Sequence, residues 1–347
     1  MNEAEQYIKT KRLDTWHGIS TCKRIYLDTN FWIRLRDAQG NRNSLDSDLL
    51  NKITGLVDSS ICVLPISEVT FWEILKQGDF NSLRKSASSI DKLSKGISII
   101  SENERRTLEF LYFMRKAQKK DVYPTRDLVW TKLSMNILYP ILPQPENMEL
   151  KKSFIDYLSA MQFSDMIDVL GKSKHYEPFA FQDNVDFLNA AKEKYKDENK
   201  SFEQMFLSEL GGYVDLFKEP LNQARDQIFF WESGRDPTTK EKEGIDPNQF
   251  RNMIYNLFKY KKATTEFPTV SILPELFAAV RWNTTRKYKD GNDTMDFLHA
   301  TAALPYFDFF FTERELSTVI KQRKLDFTFN CVVESDPKKV LEILNSL

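Results

Sequence analysis

Four carboxylates in this chain stand at, or on the helix just after, places where an apolar run gives way to a helix or a helix begins. Asp28 closes the short run ending in Tyr26 and Leu27, and Thr29 and Asn30 follow it before Phe31, Trp32, Ile33 and Leu35 resume at helical spacing. Glu73 falls six residues after Ser67, on the helix expected after the apolar run from Ile61 to Ser67. Asp296 lies in the first turn of the helix written NDTMDFLHATAALPYF, and Glu313 directly follows Thr312, the last residue of the strand DFFFT. A strand running into a helix sets its final carboxylate at the carboxyl edge of a parallel sheet, where open α/β folds place their chemistry. Mg²⁺ and Mn²⁺ take oxygen ligands, commonly one or two carboxylates completed by water and phosphate oxygens. Brought together, these four carboxylates would bind one or two such ions and activate water for phosphodiester hydrolysis. For the isolated segment around residue 28, a helix cap at Asp28 or Asn30 is the simpler account, so the chemistry depends on the company these residues keep.

Several neighbours carry two readings each. Asp293, one turn before Asp296, either reaches the same ion or faces the helix dipole. His299, one turn after Asp296, either orients a carboxylate or phosphate or packs in the core with one hydrogen bond. Asn30, Thr29 and Thr312 are suited to hold carboxylates or the scissile phosphate, with capping as the plainer role, and Ser67 can cap the helix that bears Glu73. Glu68 in that helix's first turn serves the dipole. Asp308 precedes the strand DFFFT; at roughly 3.3 Å per residue it sits about 13 Å from Thr312, at the far end of the sheet, which leaves it a supporting role. Glu313 is the preferred fourth ligand.

The elements around these positions follow from periodicity and breakers. Leu49, Leu50, Ile53, Leu56 and Val57 are spaced for a helix, the run from Ile61 closes at Pro65 and Ser67 as a buried strand, and the next helix stops at Gly78. From about residue 80 to 290 long amphipathic charged stretches predict helices, broken at Pro140, Pro143 and Pro145. Strand and helix alternate again from Asp296 to the end, through DFFFT, CVVES and PKKVLEILNSL. The expected fold is therefore α/β, a doubly wound parallel sheet flanked by helices and interrupted by a mainly α-helical insertion.

The same residues resemble the PIN-domain nucleases. The family's opening strand with Asp-Thr-Asn stands here as YLDTN, its second motif as PISEVTFWE, its third as DFLHATAAL, and its closing strand as FFFT. The likeness covers about residues 20–80 and 290–347, which would form a discontinuous PIN-like nuclease domain. Residues 81–289 would be the helical insertion, suited to bind substrate or a partner, and residues 1–19 an N-terminal extension. The resemblance implies a metal-dependent endonuclease using Mg²⁺ or Mn²⁺, with RNA, single-stranded or structured, as substrate. It also implies a toxin-like or defence role under a regulatory protein partner. The family's last Asp stands two residues after the Thr, and here that position is Arg314, with Glu313 and Glu315 beside it. This departure leaves open an RNA-binding module that has lost catalysis. A haloacid-dehalogenase-like phosphotransferase is disfavoured, because its second Asp would fall at Asn30.

Composition sets the remaining bounds. The chain has 347 residues, 41% of them hydrophobic with 26 Phe, which suffices for a large core, and 49 basic residues balance 50 acidic ones. Cys22, Cys62 and Cys331 are too far apart for a zinc site and read as reduced, buried thiols of a cytoplasmic protein. The first residues lack an apolar signal core and no run reaches membrane-spanning length, so no membrane association is expected. Arg281, Arg286, Lys287 and Lys289, which lead into Asp293, are the first candidates for nucleic-acid contact. The stretch from Tyr112 to Lys132, with Tyr123 and Trp130 between basic residues, is the second.

Overall fold

The computed structural model describes residues 3–39, 44–120, 124–170, 182–198, 200–243, 246, 248–261, 263–289 and 292–347. The chain forms two compact units. One contains residues 3–101, 126–180 and 302–347 and is α/β; the other, built mainly from residues 102–125 and 181–301, has only helices among its described regular elements.

In the α/β unit, strands β1 (Lys23–Leu27), β2 (Cys62–Val63), β5 (Phe309–Phe311) and β6 (Val332–Glu334) form a parallel sheet in the order β2-β1-β5-β6. Tyr26 pairs with Phe310 and Phe311 with Glu334. The central strands β1 and β5 are apolar on both faces, as a parallel strand covered on two sides must be. Ile25, Leu27, Phe309 and Phe311 enter one core cluster. Tyr26 and Phe310, of opposite pleat, meet edge to face at 5.4 Å, and Phe307 stacks against Tyr26 at 5.0 Å.

The expected strand from Ile61 to Ser67 is shorter than its apolar run. Pro65 has no N–H to offer a ladder. Pairing with β1 ends at Val63, and Ile66 bridges in parallel to β3 (Ile97–Ile99). β3 in turn pairs antiparallel with β4 (Trp130–Lys132). Both β3 and β4 lie where the sequence texture predicts only helix. They are three residues long and bury Ile97, Ile99 and Trp130, too brief to register against the amphipathic segments around them.

The units also divide the chain elsewhere than the shift in sequence texture suggests. Helices α1 (Glu3–Ile19), α2 (Thr29–Ala38), α3 (Leu45–Asp58), α4 (Glu68–Leu75) and α5 (Phe80–Ser94) all belong to the α/β unit. Leu83, Ala87, Ile90 and Leu93 make one stripe along α5 and join the core cluster of Ile25 and Leu27. Asp91 of α5 then caps the helix Phe163–Leu170, accepting from the N–H of Phe163 at 2.7 Å and of Ser164 at 3.0 Å. The described residues 81–101 and 126–170 thus belong with the sheet rather than with the helical unit. The N-terminal segment is a packed helix: Tyr7 Oη donates to Asp156 at 2.8 Å and Lys11 pairs with the same carboxylate at 2.6 Å.

The helical unit gathers α6 (Glu102–Ala117) with the helices Phe202–Leu216, Gln249–Lys261 and Pro268–Trp282 around Phe110, Leu210, Val214, Ile254, Phe258 and Phe267. Buried Glu109 accepts from the N–H of Thr269 at 3.2 Å and from its hydroxyl at 2.5 Å, placing a carboxylate at the N-terminus of Pro268–Trp282. Among the described residues no helix is long and apolar enough to cross a membrane.

Ser67 illustrates how local chemistry holds the sheet to its helices. Its Oγ caps α4 by accepting from the N–H of Thr70 at 3.3 Å and lies 2.6 Å from the Tyr26 hydroxyl in a fully buried contact. Ser67→Ala is expected to cost about 1–3 kcal/mol, from a lost cap and the loss of the nearer partner of the Tyr26 hydroxyl, whose other neighbour is the Thr70 hydroxyl at 3.3 Å, measurable by denaturant unfolding.

Candidate active site at the carboxyl edge of the sheet

Chain order creates a switch point in this sheet. From β1 the chain steps outward to β2 and then to β3, whereas β5 and β6 lie on the other side of β1. The crevice outside the carboxyl ends of β1 and β5 is where such sheets bind ligands. Asp28 ends β1 there: its N–H donates to Phe311 O at 3.1 Å, its carbonyl accepts from Trp32, and its Oδ1 caps α2 by accepting from the N–H of Phe31 at 2.9 Å. The carboxylate is only 3% exposed, so capping and chemistry share one side chain.

Glu73 reaches the same place from α4. The Thr29 hydroxyl donates to its Oε2, which ties Glu73 to the residue immediately after Asp28. Asn30 is exposed on the first turn of α2. Thr312 follows β5 and is fully buried, its N–H on Glu334 O at 3.0 Å, and its Oγ has no hydrogen-bond partner among the described residues. Glu313 occupies the N-cap position of the helix Arg314–Gln322 but makes no side-chain cap. It is partly exposed, while Arg314 at the next position is exposed.

A further carboxylate at this edge escaped the sequence reading. Glu334 ends β6, next to Thr312, and its Oε1 accepts from the N–H of Ser335 at 2.7 Å and of Asp336 at 3.0 Å. Burial raises its pKa, the two N–H groups and Lys321 lower it, and the balance falls below the usual carboxylate value. Its signal was a Glu closing the strand CVVES, the same position Asp28 holds on β1.

Asp308 stands at the opposite end of β5, where the Arg24 backbone N–H, Nε and Nη2 all donate to it at 2.8–3.0 Å. It supports the sheet from its amino edge. Asp293, Asp296 and His299 lie on the helix Asn292–Ala303 and belong to the helical unit. Asp293 is buried and takes Arg286 Nη2 at 2.8 Å and the Lys289 N–H at 3.1 Å, which gives it a structural task of its own. His299 is 1% exposed, and Asp296 is partly exposed. Among the described residues no three His, Cys, Asp or Glu side chains stand close enough together to hold a metal ion.

The basic candidates divide in the same way. Arg281 pairs with Glu209 and Arg286 with Asp293, and both side chains are mostly buried. Lys192 further anchors this segment on the Val280 carbonyl at 2.7 Å. Lys287 and Lys289 are exposed. In the second stretch Trp130 is wholly buried, its Nε1 donating to Arg126 O at 2.9 Å, so it packs the sheet and has no face to offer a base. Tyr123 lies outside the described residues. The cysteines are all buried free thiols, with burial raising Cys62 to about 12.

Set against protein-family models, curated proteins and solved structures, the chain matches none of them.

Proposed function

We propose that the chain is a metal-dependent endonuclease of PIN-like construction acting on RNA, with Asp28 as its central carboxylate. The observation that carries this reading is the placement of Asp28 at the switch point of the sheet with Glu73 tied to its neighbour Thr29. The side chains at this edge offer oxygen donors, which suits Mg²⁺ or Mn²⁺ rather than a thiolate-bound metal. Asp28 and Glu73 would hold the ion with Glu313, while Asp296 enters the assignment from the sequence alone. When bound, the ion supplies charge neutralisation at the scissile phosphate and a more acidic water. The chain's own residues do the rest. Thr29 orients Glu73, the Thr312 hydroxyl has a donor to give to an oxygen entering the crevice, and Asp28 and Glu73 are bases at hand for the proton released from water.

Incubating the protein with total RNA and with plasmid DNA in Mg²⁺, Mn²⁺ or EDTA, followed by end mapping, tests the proposal. RNA cleavage that EDTA stops is the expected result; an inert protein in every metal refutes it. Arg314, exposed where the family places its last Asp, supports a second reading, an RNA-binding module without catalysis. Titration with Mn²⁺ separates the two, since only the nuclease should bind the ion in a manner that Asp28→Asn abolishes.

Thr29→Val removes the hydroxyl that holds Glu73 and keeps the size of the side chain. Loss of a group orienting a metal ligand costs about 10–100-fold in metal affinity or activity. The expected result is a Mn²⁺ requirement raised on that scale with little change in RNA affinity measured in EDTA.

A further inference from the structure

At the amino edge of the sheet, opposite the acidic crevice, α1 covers a cleft of about 550 Å³. Pockets of a few hundred cubic ångströms are the ordinary size for small molecules. Its walls are Ile8 and Ile19 of α1, Val63, Ile97 and Met135. Its charged lining is Lys11, Lys95 and Lys132 against Asp14 alone. Lys11 is occupied by Asp156 at 2.6 Å, which leaves Lys95 and Lys132 as the cations the cleft can offer.

Lys132 is the unusual member. Its Nζ donates to Lys95 O at 2.9 Å, the carbonyl at the end of α5, and no carboxylate among the described residues pairs with it or with Lys95. One N–H thus quiets the negative end of a helix and two remain. Burial lowers its pKa, and among the described residues no counter-charge offsets that. Gly96, at φ +68°, leaves space beside it: a Cβ there would lie 3.9 Å from Lys132 Nζ and 3.7 Å from Gln162 Oε1. Gly18 in α1 also lines the cleft, and a Cβ added to it meets nothing within 4 Å.

We propose that this cleft binds a small organic carboxylate, with the anionic group at Lys132 and Lys95 and the apolar body along Ile8, Ile19, Ile97 and Met135. The ligand supplies the charge that no described carboxylate gives Lys132, and its body lies against the half-buried Ile8 and Met135, with the buried Ile19 and Ile97 behind them. The site is independent of the nuclease reading and stands or falls without it.

The test is fluorescence titration of the full chain with 8-anilinonaphthalene-1-sulfonate, an amphipathic anion that brightens in apolar surroundings, followed by displacement with decanoate and with decanol. The expected result is one saturable site from which decanoate displaces the dye at least about tenfold better than decanol, the scale of a charged hydrogen bond. Lys132→Met should remove that preference while decanol still competes. Gly18→Phe should abolish dye binding by filling the cleft; it breaks no hydrogen bond and replaces a helical glycine, so the fold survives, as a melting curve will show. Absence of saturable binding, equal displacement by acid and alcohol, or decanoate binding unchanged in folded Gly18→Phe protein overturns the proposal.

Discussion

Asp28→Asn is expected to cut RNA cleavage by more than about 100-fold, beyond the cost of disturbing a group that merely orients a metal ligand, while leaving the fold intact. Both halves of that expectation come from the geometry of one side chain. Oδ1 caps α2 through the Phe31 N–H, and an Asn oxygen accepts that bond as well as an Asp oxygen does. Unfolding free energy should therefore move by less than about 0.5 kcal/mol. What Asn cannot supply is the negative charge at the switch point, where a divalent ion would be held. Cleavage by purified Asp28→Asn protein at the wild-type rate, with its melting curve unchanged, would remove the central residue from the proposal. A loss of both activity and fold would mean that the carboxylate's role there is structural.

Asp308→Ala should do the reverse. Arg24, the second residue of β1, has a side chain that is 7% exposed, and Asp308 receives two of its guanidinium nitrogens and its backbone N–H. Deleting the carboxylate leaves a buried guanidinium stacked on Trp16, whose ring centroid lies 5.3 Å away, with no counter-charge but its own hydration. Breaking such a pair costs about 3–5 kcal/mol, and the 23% exposure of Asp308 argues for the lower end. Arg126, 3.7 Å from the same carboxylate, would lose its partner too. Denaturant unfolding should show the loss as a lower midpoint. Metal binding by the protein that remains folded should be unaltered, because Asp308 stands about 13 Å of strand away from the acidic edge. A stability change below about 1 kcal/mol would show that water replaces the carboxylate at little cost.

These two carboxylates mark how far the sequence could be read. Asp28 and Asp308 flank apolar strands of the same sheet, and their opposite ends were assignable from strand rise and from the turn and cap residues around Asp28. The order of the strands along the chain, the parallel sheet with helical cover, and Ser67 as a cap were equally legible, because each rests on local periodicity or a breaker. The division of the helices was not. α5 and Phe163–Leu170 carry the same amphipathic texture as the helices of the other unit, and what assigns them to the sheet is the match of Leu83, Ala87, Ile90 and Leu93 to one particular core and the reach of Asp91 to a helix more than seventy residues on. Ion pairing was equally out of view: Arg281 and Arg286 look like free cations in a basic run and are neutralised by Glu209 and Asp293.

The sequence by itself determined which elements form and which ends of them bear carboxylates, since helix and strand periods, caps and prolines act over a few residues. Only the tertiary structure decided that Pro65 hands the ladder from β1 to β3, that Thr29 holds Glu73, that Glu334 joins the same edge, and that Lys132 spends a donor on the Lys95 carbonyl. Those outcomes depend on which distant surfaces meet, and long-range contacts are chosen by the packing of whole faces and the pairing of buried charges, neither of which any short stretch of chain contains.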